Sequence, residues 1–218
     1  MKKTIQLLLV IGMLFACPVV NAQNRAMNKA LKKEYKLKKK EFEKGGWTVF
    51  GTARSLDVAL LKHYEKLNVN ENAREIVGLS SGFPSISLTK EDAEANACNR
   101  YARYAGSHVR GRVVNDRGGN AQDASSVFEH FYAAYESMVE KEIKGELREC
   151  FSIYREIGKD KQTGKMCYEM QIFYILDEDA ASAARIRAFE NALRESAMAQ
   201  MHAEMVSKFI QEGFEVGE

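Results

Sequence analysis

Two alternating runs at 147–157 and 166–176, separated by Gly158-Lys159-Asp160-Lys161-Gln162-Thr163-Gly164, constrain this chain more than any other feature. Alternation gives an extended segment one apolar side, and a glycine-bearing loop between two such runs closes a β-hairpin. Matching the apolar sides pairs Phe151 with Ile172 and Ile153 with Met170. Further strands are legible in the β-prone stretch 47–53, which begins at Trp47, and in Glu75-Ile76-Val77-Gly78-Leu79-Ser80-Ser81-Gly82, ended by Gly82 and Pro84.

The remaining segments have helical spacing. Leu56, Ala59, Leu60, Tyr64 and Leu67 mark one helix. Thr89-Lys90-Glu91-Asp92 fits a capping box and opens a second helix to about Arg110, with Ala93, Ala97, Tyr101, Tyr104, Ala105 and His108 on one side. Asn115 to Ser125 reads as loop. Phe128, Phe131, Tyr132, Tyr135, Met138, Val139 and Ile143 then form an aromatic helix that stops before Gly145. Asp177-Glu178-Asp179 places acid where a helix N-terminus favours it, and no proline or glycine follows between 180 and 212. Two apolar lines run along that last helix, Ile186, Phe189, Leu193, Ala197, Met201 and Met205 beside Ala181, Ala184, Ala188, Ala192, Ala203 and Ile210. At about 1.5 Å per residue the helix is ~45 Å long, enough to cross the sheet and overhang it. The expected fold is α+β, a small mostly antiparallel sheet packed against helices, with a long C-terminal helix and a basic N-terminal helix.

The first 22 residues read as an export signal. Met1-Lys2-Lys3 is basic, 5–16 is apolar, and Val20-Asn21-Ala22 is a small-residue exit, so cleavage before Gln23 is the favoured processing. Leu14-Phe15-Ala16-Cys17 offers the alternative of lipidation at Cys17. The apolar run is short of the ~20 residues that span a bilayer, so a retained transmembrane helix is not expected. The expected location is the periplasm or the outer membrane.

Charge is divided along the chain. Residues 25–44 hold nine Lys or Arg against Glu34, Glu41 and Glu43, a balance of +6, whereas 45–218 hold 21 basic against 27 acidic residues. The organisation is therefore a signal (1–22), a basic helical arm (23–46) and one α+β domain (47–218). That domain divides into a strand-helix extension (47–74), a core (75–178) and the long C-terminal helix (179–218). The arm reads as a solvated helix lying on the acidic body, with contact to an anionic membrane surface as the second reading. Nucleic acid is not an expected partner of an exported chain.

No catalytic constellation is written in the sequence. His63, His108, His130 and His202 lack HxxxH or HExxH spacing, so neither a metal nor a cofactor is expected. Cys98, Cys150 and Cys167 are an odd number for an oxidising compartment, none stands in a CxxC pair, and structural thiols are the favoured reading. Cys98 or Cys150 with a remote histidine would make a cysteine nucleophile the alternative. A contact surface is expected at Trp47, Tyr154 and Phe173, on a sheet side that helices leave open, and at Met198, Met201, Met205 and Phe209, where the last helix overhangs.

The strand at 76–82, the alanines Ala93, Ala97 and Ala105, and then Gly145-Glu146-Leu147 and Cys167-Tyr168 resemble the envelope family named for a twenty-kilodalton outer-membrane lipoprotein. The resemblance covers 75–178 and extends more distantly to the N-terminal domain of the flagellar T protein. It implies an α+β envelope domain serving as an accessory or assembly protein without an active site. The expectation is thus a non-enzymatic protein that acts on an envelope protein partner or by self-association. A periplasmic enzyme, or a carrier of small ligands or peptides, with a site assembled from distant residues, is the alternative.

Overall fold

The computed structural model describes residues 29–116 and 121–195, with side chains at 111–130 and 195 excepted. Helix α1 (29–44) leads into β1 (Thr48–Phe50), α2 (Leu56–Val69), β2 (Ala73–Phe83), α3 (Ile86–Asp116) and α4 (Ala121–Lys144). Strands β3 (Arg148–Lys159) and β4 (Met166–Asp177) and helix α5 (Glu178–Glu195) follow. The four strands form one antiparallel sheet in the order β1-β3-β4-β2, so the fold is α+β.

Local chemistry sets the helix ends. Gly46 has φ 70°, which lets the Trp47 N–H reach the Phe42 carbonyl at 3.1 Å and the Gly46 N–H reach that of Glu43 at 3.3 Å. This is a Schellman stop, and the Trp47 and Phe42 rings that flank it pack edge-on at 6.3 Å. Ser55 caps α2 by accepting from the Val58 N–H at 3.4 Å. Asp177 caps α5, accepting from the Asp179 and Ala180 N–H groups at 3.1 Å each. Its carboxyl lies below the usual range because Asn70 and then Ala180 donate to it. Helix α3 starts one turn before the Thr89 capping box. Ser85, after Pro84, takes the cap, accepting from Leu88 N–H at 3.5 Å, while Thr89 is fully buried and donates to the Ser85 carbonyl at 2.7 Å. The same helix runs to Asp116, and α4 starts at Ala121, so much of the segment read as loop is helical.

Helices cover both sides of the sheet. Met170, Ile172 and Tyr174 pack on Ala93 and Ala97 of α3, while Phe151, Ile153 and Phe173 pack on Ala59 and Leu60 of α2 and Phe42 of α1. The open sheet side expected at Trp47, Tyr154 and Phe173 is therefore corrected. Phe173 is 5% exposed beneath α1 and α2. Tyr154 pairs with Met170 and so faces the opposite side, against Phe50 and Tyr168. Parity along a strand separates these residues, and no single surface contains all three. Helix α3 takes up two groups on the outer edge of β2: Asn96 accepts from Leu79 N–H at 3.3 Å and Arg100 donates to the Val77 carbonyl at 2.9 Å, which removes them from pairing with another strand.

The third cluster joins α3, α4 and α5. Ala181, Ala184, Ala188 and Ala192 are all at 0% exposure and lie with Tyr132, Tyr135, Val139 and Ile143. The alanine line, not the Ile186 line, thus forms the seam of α5: Ile186 is 46% exposed, although Phe189 of the same line is buried. Small side chains let α5 approach an aromatic helix whose own rings fill the space between them. The segment beyond 195, read from sequence as the overhang and holding Met198, Met201, Met205 and Phe209, lies outside the described residues, as does Cys17.

Candidate functional site

Helices α1 and α2 and the sheet side beneath them bring together a buried histidine, a carboxylate and a thiol from three elements. His63 projects from α2 into the apolar layer and is 1% exposed. Beneath it Phe151 and Phe173 stack with ring centroids 4.5 Å apart and planes 1° from parallel. The imidazole stands T-shaped to both rings, with centroids 5.5 and 5.8 Å away. Its Nε2 lies 2.5 Å from Glu75 Oε2 on β2. Nδ1 makes no hydrogen bond of ordinary geometry, and the Cys150 side chain on β3 is the other polar neighbour that acts on the ring.

Cys150 reaches this position through a β-bulge. Pairing runs Arg148 with Ile175 and Glu149 with Tyr174, then resumes at Phe151 with Phe173, which leaves Cys150 as the extra residue. The expected pairing of Phe151 with Ile172 extends the first two pairs and is one residue out beyond the bulge. The Cys150 thiol is half-buried and Cys98 and Cys167 are buried; all three are free. Cys150 also lines a cavity of about 250 Å³ with Arg54, Lys62, Lys90 and Glu149.

Burial pushes the His63 imidazole toward neutrality, but its interactions with Cys150 and Glu75 outweigh this and raise its pKa to about 9. A histidine raised above its ordinary 6.5 holds its proton more tightly folded than unfolded. The resulting stability is complete below about pH 6.5 and is lost as pH rises through about 9. The groups that act on His63 are Glu75 from β2 and Cys150 from β3; the Tyr64 ring of α2 lies beside the imidazole with centroids 5.9 Å apart, its hydroxyl pushed up by burial and by Glu34 and Glu75. Urea unfolding at about pH 6 and about pH 10 should differ by roughly 3 kcal/mol. His63→Gln should flatten the difference, whereas equal midpoints in the native chain would show the imidazole to be neutral.

On the other side of Glu75 lies a groove of about 440 Å³. Leu31 and Glu34 of α1, Tyr64, Leu67 and Asn68 of α2, and Glu71 and Glu75 line it. Its apolar floor is rimmed by three carboxylates with no cation among the lining residues. The walls are fixed to each other: Tyr35 donates to Asp57, Lys39 Nζ lies 2.5 Å from the same carboxylate, and the Tyr35 and Tyr64 rings meet edge-on at 6.4 Å. Lys39 and then Tyr35 hold Asp57 below its usual range. The basic arm is thus seated on the acidic body by Phe42 and Lys39.

Among residues singled out in the sequence, Trp47 flanks this site, with the Arg155 guanidinium 4.7 Å from its ring centroid, and Phe173 forms its floor. His108 is elsewhere, 4.5 Å from Tyr104, and does not meet His63. Sequence reasoning missed the joining of His63, Glu75 and Cys150. Glu75 and Val77 share a strand side, which the alternation signals, but the bulge that turns Cys150 toward the histidine leaves no local mark. Among the described residues no group of His, Cys, Asp and Glu is arranged to hold a metal ion, and no helix is long and apolar enough to cross a membrane. No family model matches the chain, and no curated protein or solved structure is found to match it.

Proposed function

We propose that this protein is a non-enzymatic accessory or assembly protein of the bacterial cell envelope, exported to the periplasm or outer membrane, and that it works by holding a segment of another envelope protein. The observation that carries this reading is the α1–α2 groove. Leu31, Tyr64 and Leu67 offer an apolar floor, and Glu34 and Glu71 add negative charge that no cation among the lining residues balances, Glu75 being engaged by His63. The chemistry selects an apolar residue flanked by Lys or Arg, because carboxylates of one sign steer and orient a basic segment. Groove walls tied by Lys39, Tyr35 and Asp57 hold the site ready and reduce the ordering cost of binding. The exposed Lys32, Lys36 and Lys40 recur every fourth residue on the same helix, a spacing that presents them together to an anionic membrane surface. The resemblance to the twenty-kilodalton outer-membrane lipoprotein family points the same way.

The test uses defined peptides. A Leu-containing peptide flanked by lysines should bind the full chain and shift the NMR signals of Leu31, Tyr64 and Leu67. The same peptide with glutamates in place of lysines should bind at least about tenfold more weakly. Glu34→Lys with Glu71→Lys should exchange the preference. Equal binding of both peptides, or shifts confined to other surfaces, would sink the groove as the partner site.

A further inference from the structure

Cys150 stands between a buried imidazole and an open cavity, and the partner groove uses neither the thiol nor that cavity. On the inner side His63, 1% exposed, is anchored through Nε2 to Glu75 and keeps Nδ1 without an ordinary hydrogen bond. With Nε2 engaged, Nδ1 is the nitrogen left to serve the neighbouring sulfur. On the outer side Arg54, Lys62 and Lys90 face one lining carboxylate, Glu149, which Lys90 meets at 3.3 Å. The charged lining is therefore cationic on balance. The bulge leaves Cys150 as the unpaired residue of β3 and sets the direction of its side chain apart from the regular alternation.

We propose that Cys150, assisted by His63, is a modification site that forms a mixed disulfide with small anionic disulfides entering the cavity beneath Arg54 and Lys62. The step needs no reagent beyond that disulfide. Cys150 Sγ, as the thiolate, attacks one sulfur of the incoming molecule. A new S–S bond forms to Cys150 and the original S–S bond breaks. The departing half leaves with the electron pair as a thiolate, which takes up the proton that Cys150 gave to the surrounding water. Cys150 is thereby oxidised and the departing half reduced. His63 acts as a positioning residue that offers positive charge and an N–H to the sulfur.

Among the described residues the adduct has no neighbouring thiol to remove it. Cys167 pairs with Gly158 near the far end of the hairpin, and Cys98 lies in the helical cluster on the other side of the sheet. Release therefore falls to an external thiol. This inference goes beyond the partner-holding function and does not depend on it.

The experiment treats the full chain with oxidised glutathione, which carries carboxylates, and with cystamine, which carries only ammonium groups. Rates are read by intact mass and the site by peptide mapping. Cys150 is expected to take one glutathionyl unit roughly tenfold faster than one cystamine half, after correction for each reagent's reactivity toward a free thiol. Lys62→Glu should remove or invert that preference. His63→Gln should slow Cys150 by roughly tenfold and displace the pH profile of its rate upward. Because Cys150 is more exposed than Cys98 and Cys167, outpacing them is not itself support. Equal treatment of the two reagents, a preference untouched by Lys62→Glu, or a folded His63→Gln chain that reacts as fast as the native one overturns the proposal. If His63→Gln lacks a cooperative melt, Glu75→Gln replaces it with the same expected slowing.

Discussion

Phe173→Ala is expected to lower the unfolding free energy by about 3 to 5 kcal/mol, the range for removing a buried aromatic ring. Phe173 stacks on Phe151, stands T-shaped to His63 and meets Phe42 of α1 with ring centroids 5.8 Å apart. One truncation therefore removes the floor beneath two helices. Trp47 packs on Phe42 and should report the loss, its emission shifting to longer wavelength before the global transition. Urea melts followed by far-UV circular dichroism and by Trp47 fluorescence check both outcomes. Against a total stability of about 5 to 15 kcal/mol, this change should leave the chain near its folding threshold. Tyr154→Ala, on the opposite side and only partly buried, should cost clearly less. A Phe173→Ala cost below about 1 kcal/mol would mean that α1 and α2 do not cover this side.

Gly78→Val should be nearly as damaging and for the opposite reason. A Cβ built at Gly78 would run into the Ala93 backbone carbonyl and stand 3.1 Å from the Ala97 Cβ. Strand β2 and helix α3 are that close because glycine faces alanine across the contact. The obstacle is backbone, which cannot swing aside as a flexible side chain does. An overpacked site of this kind costs about 1 to 3 kcal/mol, with valine at the upper end and alanine below it. Thermal melts of Gly78→Ala and Gly78→Val give the order. A valine variant as stable as the native chain would show that α3 rides higher above β2.

The hairpin, the strand at Gly78 and the helices at 56–67 and 128–143 are legible because their apolar residues recur at periods that fix their element type. Subtler features depend on contacts between distant segments. The register of β3 on β4 reads correctly up to Glu149 and fails at Cys150, since the bulge is chosen by how Phe151 and Phe173 stack and not by local alternation. Thr89 has the residues of a capping box, yet Ser85 caps the helix because Pro84 has already turned the chain. Ile186 looks like a core residue beside Phe189, but the alanine line gives α5 its closer approach to α4. Phe42 is the buried ring of a highly charged helix, and the Schellman turn at Gly46 folds the chain so that it lies over the sheet. For the same reason the candidate site escapes the sequence. His63, Glu75 and Cys150 come from three elements, and Leu31 and Leu67 face each other only because α1 folds back on α2.

The proposed function depends most on the chemistry of the α1–α2 groove, and a photo-crosslinking residue placed at Leu67 in the full chain tests it in the cells that produce the protein. The crosslinked partner peptide should carry an apolar residue flanked by Lys or Arg, and Glu34→Lys with Glu71→Lys should suppress the crosslink. A crosslinked segment without basic residues, or a crosslink unchanged by the charge reversal, would contradict it.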